Sequence, residues 1–366
     1  MKVTVRLAGI LAPYPPPSMG RHLYALMTDS VKEWRGAIRH AGIRTIVLWA
    51  LFGSLACGSS AGAPIKVKLA HSASPRSLIA LSAEEFARRA NDRLGDRATV
   101  VVFGSAQLGG DEVVLSKLKL GTVHLGLNST VMSSVVDEFA IFDMPYLVRD
   151  RDHMRRIETE VFWPSLAPRA EAAGYKVLAV WENGFRHITN NTRPIVTPND
   201  LRGIKLRTPS SPWRVKLFRD YGANPSPLPF SDVFLALQTG LMDGQENPLS
   251  NVVTASLQEA QTYLSLTGHV YSPAYLVAGV EIWSKLPEGV RRVLEETASA
   301  TQGFAFATAE RLDAEFLEQL RASGMQVNEV DLESFAAAGQ AIYEEFGRTV
   351  PGAQEMSDKA RAAARR

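Results

Sequence analysis

Cysteine is almost absent: Cys57 stands alone in 366 residues. Because it lies in a segment read below as removable, the mature chain would carry no thiol, which excludes disulfides, thiolate chemistry and cysteine-ligated metals. Charge of one sign is lacking too. Forty Lys and Arg are interspersed with 38 Asp and Glu, a formal net charge of +2, so there is no footprint for nucleic acid. No apolar run reaches the roughly 20 residues of a membrane-spanning helix. Catalytic signatures are missing: there is no GxSxG and no HExxH, and His71, His124, His153, His187 and His269 are scattered singly. The glycine loop Gly104 to Gly110 follows neither the GxGxxG nor the GxxxxGK[ST] order, so nucleotide binding is not expected. No cofactor or metal is expected.

What is present starts with an export signal. Residues 1–34 have no sustained hydrophobic period and contain Pro15-Pro16-Pro17, so they receive no fold. They either precede the true translation start, with Met27 a candidate, or form a disordered extension. Residues 35–63 have the layout of a signal peptide: Arg35, Arg39 and Arg44, an apolar core from Thr45 to Cys57, and small residues ending Ala61-Gly62-Ala63 before Pro64. A lipoprotein reading is weaker, since Ser54 stands where leucine would precede a lipidated cysteine. Export to the periplasm is the expectation.

From Ile65 strands and helices alternate: Ile65 to Ala70 extended, Ser77 to Leu94 helical, Thr99 to Phe103 a buried strand, Asp111 to Leu120 helical and Val123 to Leu127 extended. That succession implies parallel βαβ units in an α/β fold, with ligands beyond the carboxyl ends of the strands. Three loops, Ser72-Ala73-Ser74, Gly104 to Gly110 and Asn128-Ser129-Thr130, would then surround one mouth. A helical stretch interrupted at Pro164 and Pro168 runs to Ala173, and Gly184 marks a bend or hinge in the extended run after Val177. A helical pattern from about Pro287 to Ser323, with Val290, Val293, Leu294, Thr297, Phe304, Thr308, Leu312, Phe316 and Leu320 on one stripe, is long enough to bridge two domains. Residues 351–366 read as a solvated basic tail.

The densest stretch runs from Asn199 to Ala255, NDLRGIKLRTPSSPWRVKLFRDYGANPSPLPFSDVFLALQTGLMDGQENPLSNVVTA. Ile204 to Arg207 alternates as a short strand ended by Pro209. Ser231 is placed to cap a helix through Val233, Phe234, Leu235 and Leu237, and Asp243 to Pro248 reads as an amide-rich loop. In this order, LRG-I-KLR-TP followed by GANPSPLPFSDVFLALQTGLMDGQENPL, the stretch resembles the substrate-binding subunit of tripartite ATP-independent periplasmic (TRAP) transporters, the DctP type. Agreement is weaker from Val67 to about Val350.

The resemblance implies a two-lobed α/β fold with a hinge and a long helix spanning both lobes. Residues 64–183 plus 273–312 would form one lobe and 184–272 plus 313–350 the other. It implies capture of a small organic carboxylate (C4-dicarboxylate, 2-oxo acid or sugar acid) and its delivery to small and large membrane permease subunits driven by an ion gradient. Arg207, in the unaltered Lys205-Leu206-Arg207-Thr208-Pro209, would clamp the ligand carboxylate with its planar fork. By residue type alone an arginine at a strand end is ordinarily exposed or paired, here with Asp200 or Asp232. Arg186, matching a G-x-R-x-x-x-x-N pattern through Gly184 and Asn191, would supply a second cation. Phe230 would wall the cleft and Asn247 would offer an amide, although each also reads as ordinary packing or a turn. Gln107 and Asp111 are secondary candidates. Trp213 would shape selectivity or pack in a core. Rival readings are a periplasmic enzyme, the binding component of an ATP-driven (ABC) importer, and a ligand module for a chemoreceptor or sensor kinase.

Overall fold

In the computed structural model residues 64–364 are described. The expected extension and signal peptide lie outside the described residues. The strands are β1 Ile65–Ala70, β2 Ala98–Phe103, β3 Leu125–Asn128, β4 Tyr175–Asn190, β5 Lys205–Thr208, β6 Asn224–Pro227, β7 Gly244–Pro248, β8 Tyr263–Ser265, β9 Tyr271–Gly279 and β10 Gln326–Asn328. They run in the order β2-β1-β3-β9-β4-β7-β5-β6, with β8 beside β4 and β10 beside β8. The sheet is mixed. β1 pairs in parallel with β2 and β3, and β5 with β6 and β7, as βαβ units require; β9 and β4 run antiparallel to their neighbours and join the two blocks.

This is a two-lobed α/β architecture in which β4 belongs to both blocks: its first part, to Phe185, pairs with β9, and from Arg186 onward it pairs with β7 and then β8. The register slips between Glu182 and Gly184, so Asn183 is an extra, unpaired residue. The bend expected at Gly184 is thus a β-bulge, and the glycine's φ of 126° is one that side-chain-bearing residues rarely adopt.

Helices cover the sheet where their apolar stripes demand it. Ser77 caps the helix Leu78–Leu94 by accepting from the Ala80 amide at 3.2 Å, and Ala83, Phe86, Ala90 and Leu94 face inward. The helix Glu288–Ala322 has 35 residues, about 52 Å at 1.5 Å per residue. Its Val290, Val293 and Leu294 enter the core under β1 and β3, whereas Leu312, Phe316 and Leu320 enter another with Val233 and Leu264. Phe306 is buried on the stripe; the expected Phe304 is only half-buried. Among the described residues no helix is long and apolar enough to cross a membrane.

Several expectations are corrected. β2 is an edge strand with Thr99 exposed, not a buried one. The prolines do not interrupt the helical stretch: Arg151–Ile157, a π-wound Glu158–Leu166 that contains Pro164, and Ala167–Ala172 with Pro168 follow one another. Ser231 caps nothing; its hydroxyl donates to Asp232, and the helix begins at Val233. Asp243 to Pro248 is no loop, for Gly244–Pro248 is a wholly buried strand between β4 and β5. Nor is the carboxyl end a solvated tail. Ala353–Ala363 is a helix that buries Met356 and Ala360, and its Ala363 carbonyl accepts from Arg156 at 2.7 Å.

Candidate functional site

The mouth is built from both blocks. From the first come Ser72 and Ala73 after β1, Asp111 at the start of a helix, Ser129 and Thr130 after β3, and Asn183 in the bulge. From the second come Arg186, Arg207, Pro209, Phe230, Asn247 and Asn251. Together they line one cleft, with about 470 Å³ of empty space that is partly open to solvent.

Arg207 is the third residue of β5, paired with Ser226 on β6 and Gln245 on β7. The chain leaving β6 turns back so that the Leu228 carbonyl accepts from Arg207 Nε at 2.9 Å and Nη2 at 2.5 Å. The side chain is 3% exposed, and no carboxylate among the described residues pairs with it. Asp200 instead closes a capping box with Thr197. Burial, with Arg186 nearby, lowers the Arg207 pKa to about 10, so it stays charged at neutral pH.

Arg186 has the opposite circumstances. Its Nε and Nη2 form a bidentate pair with the Glu246 carboxylate, and Nη2 also donates to the Glu246 carbonyl at 2.6 Å and to Asn247 Oδ1 at 3.2 Å. Arg214, fully buried, donates to Glu246 Oε2 at 2.9 Å and to Asp143 Oδ1 at 2.6 Å. His269 Nε2 lies 3.1 Å from the same Glu246 oxygen. Burial alone would push the Glu246 carboxyl up, but the two guanidiniums outweigh it and hold it far below the usual carboxylate range. Arg186 therefore reaches the cavity with its charge already matched.

Asp111 accepts from Ser72 Oγ at 2.7 Å. Burial raises its carboxyl pKa to about 6, against the opposing pull of the Ser72 bond and Arg207. Asn247 donates through Nδ2 to Gln245 Oε1 at 2.5 Å and accepts through Oδ1 from Arg186 and Asn251. Phe230 forms part of the wall. Two candidates are not brought in. Gln107 is exposed and outside the lining, and Trp213 packs edge-on against Phe346 at 5.0 Å between centroids.

Residue patterns missed Glu246, Arg214, Asp143, Asn183 and Asn251. One signal was available. Arg214 falls with Leu217 and Phe218 on the buried face of the helix Pro212–Asp220, and a charge on an apolar stripe points to a buried ion pair.

A family model described as "Bacterial extracellular solute-binding protein, family 7" (DctP) matches residues 69–349. A "Solute-binding protein" of Verminephrobacter eiseniae is 34% identical over 290 residues, covering 79% of this chain and 87% of that one. Among solved structures, a TRAP periplasmic solute-binding protein from Polaromonas sp. JS666 bound to D-erythronate is 33% identical with a TM-score of 0.78, covering 81% of this chain and 98% of that one. One from Sulfurospirillum deleyianum with bound succinate is 31% identical with a TM-score of 0.78, covering 82% and 100%.

Proposed function

We propose that this chain, which belongs to the DctP family of bacterial extracellular solute-binding proteins, captures a small organic carboxylate beside Arg207 and delivers it to the membrane subunits of a TRAP transporter. The observation that carries the reading is a buried arginine at a cavity wall with no carboxylate partner among the described residues. Burying an unpaired charge is costly, so the site is completed by an anion arriving from outside. A guanidinium whose Nε and Nη2 are held by one carbonyl keeps its remaining N–H groups for a carboxylate.

Asn247 and the matched Arg186 supply polar contacts, Phe230 supplies an apolar wall, and Asp111 receives a hydrogen bond. Gln107 and Trp213 have no part in it. Residues 64–183 with 273–312 and residues 184–272 with 313–350 act as the two lobes that close on the acid, joined at β4, β9 and the long helix. The site lies outside the cytoplasm, in the periplasm, and the chain carries its ligand there without altering it. Relatives bound to D-erythronate and to succinate support the ligand class.

The test is a thermal-shift screen against small organic acids, followed by calorimetry on each hit. A ligand at about 100 times its Kd adds about 2.7 kcal/mol of stability, a shift of several degrees. Arg207→Ala is expected to abolish the shift while the variant still melts cooperatively. Undiminished binding by that variant overturns the reading.

A further inference from the structure

We propose that the cavity selects a hydroxylated monocarboxylate, an acid of the aldonate class, over a dicarboxylate, and that Asn183 is the residue that reads a ligand hydroxyl. This rests on the reading of the cavity as a carboxylate site.

The first ground is charge. Two guanidiniums line the cavity, but Glu246 neutralises Arg186. Arg207 is the one lining cation without a carboxylate partner among the described residues, enough for one ligand carboxylate. Asp111 lines the same cavity from the other block, so a second ligand carboxylate would be buried without a cation of its own and near an anion. Such burial is strongly unfavourable.

The second ground is unused acceptors. Asn183 is 5% exposed, lines the cavity, and its Oδ1 has no hydrogen-bond partner. Its orientation is fixed by a neighbour. Ser129 gives its single hydroxyl hydrogen to the Pro273 carbonyl at 2.6 Å, so it can only accept from Asn183 Nδ2, at 3.4 Å. That leaves Oδ1 needing a donor. Asp111, with the Ser72 hydroxyl on one oxygen, has room for further donors. A ligand with several hydroxyls supplies one hydrogen to each; a second carboxylate or a keto oxygen supplies none.

The backbone shows why Asn183 is available. In a regular strand residues three apart face opposite sides, so Asn183 and Arg186 would be separated by the sheet. Asn183 is itself the extra residue of the bulge and so escapes the strand's alternation, and both side chains reach the cavity.

Calorimetry on the purified chain with four-carbon acids tests this: 2,3,4-trihydroxybutanoate (both diastereomers), butanoate, 2-oxobutanoate and succinate. One trihydroxybutanoate is expected to bind at least about tenfold tighter than each of the others, the worth of about one hydrogen bond. Asn183→Leu should collapse the ratio of trihydroxybutanoate to butanoate affinity about tenfold, and Asn183→Ser should restore part of it. A variant that folds poorly lowers both affinities together and leaves their ratio intact. Succinate or 2-oxobutanoate binding as tightly as the hydroxy acid, or a ratio unmoved by Asn183→Leu, overturns this inference alone, provided Arg207→Ala still abolishes binding. Silence from all four acids, or binding independent of Arg207, overturns the carboxylate reading with it.

Discussion

Arg207 and Leu228 are joined by a two-point contact: the carbonyl of Leu228 accepts from Nε at 2.9 Å and from Nη2 at 2.5 Å, and fixes the plane of the guanidinium at the cavity wall. Orientation by a backbone oxygen leaves the arginine aimed but not neutralised. The geometry of the head group therefore matters as much as its charge.

Arg207→Lys is expected to lose affinity despite the retained charge. An ammonium cannot hold the Leu228 carbonyl from two nitrogens and still present a planar fork. The loss expected by calorimetry is about 1.5 to 3 kcal/mol, the scale of a charge-assisted hydrogen bond. Equal affinity would show that only charge is sensed there.

Glu246→Gln should destabilise the fold by about 3 to 5 kcal/mol, because it leaves Arg186 and Arg214 buried with Asp143 as their remaining carboxylate. Urea unfolding would measure this. Binding should weaken as well, since Arg186 would no longer be held.

Asp111 carries a pH signature. Its carboxyl titrates at about 6 in the folded chain against 3.8 ordinarily, so the folded state binds more protons in between. Its contribution to stability therefore falls as pH rises through that window and stays low above it. Asp111→Asn, which keeps an acceptor for Ser72, should melt higher than the parent at pH 7.5, by the equivalent of about 3 kcal/mol, and alike at pH 3.5. Melting curves at the two pH values decide it; a difference of the same size at both would mean that ionisation is not the cause.

Removing residues 351–366 should lower stability by at least about 3 kcal/mol, by the measure of a large core truncation. Met356 and Ala360 would leave the core, and the Ala360 carbonyl, 2.7 Å from His153 Nε2, would be lost. Differential scanning calorimetry on the shortened chain would show it.

What could be read from residue order follows from what each element depends on. The long helix and the helix after Ser77 declare themselves, because stripe and cap are local properties. β7 does not: Gly-Gln-Glu-Asn-Pro has no strand-favouring residue, and it is extended because β4 and β5 pair with it from both sides. Glu246 was hidden for the same reason. The last helix escaped notice because alanines and Met356 make a face too weakly apolar to stand out in a basic stretch. Of the cavity residues, Arg207, Arg186, Phe230, Asn247 and Asp111 came from motif order, whereas Asn183 depends on a register slip that no local pattern announces.

β4 passes through both blocks as one strand of sixteen residues, relaxed by two register slips, one between Val177 and Ala179 and one at the bulge. Any rotation of one block against the other must be taken up as torsion in that ribbon and in β9 beside it, not as slack in a loop. Such a joint behaves elastically: a force that draws the halves together winds it, and removal of that force lets it recoil.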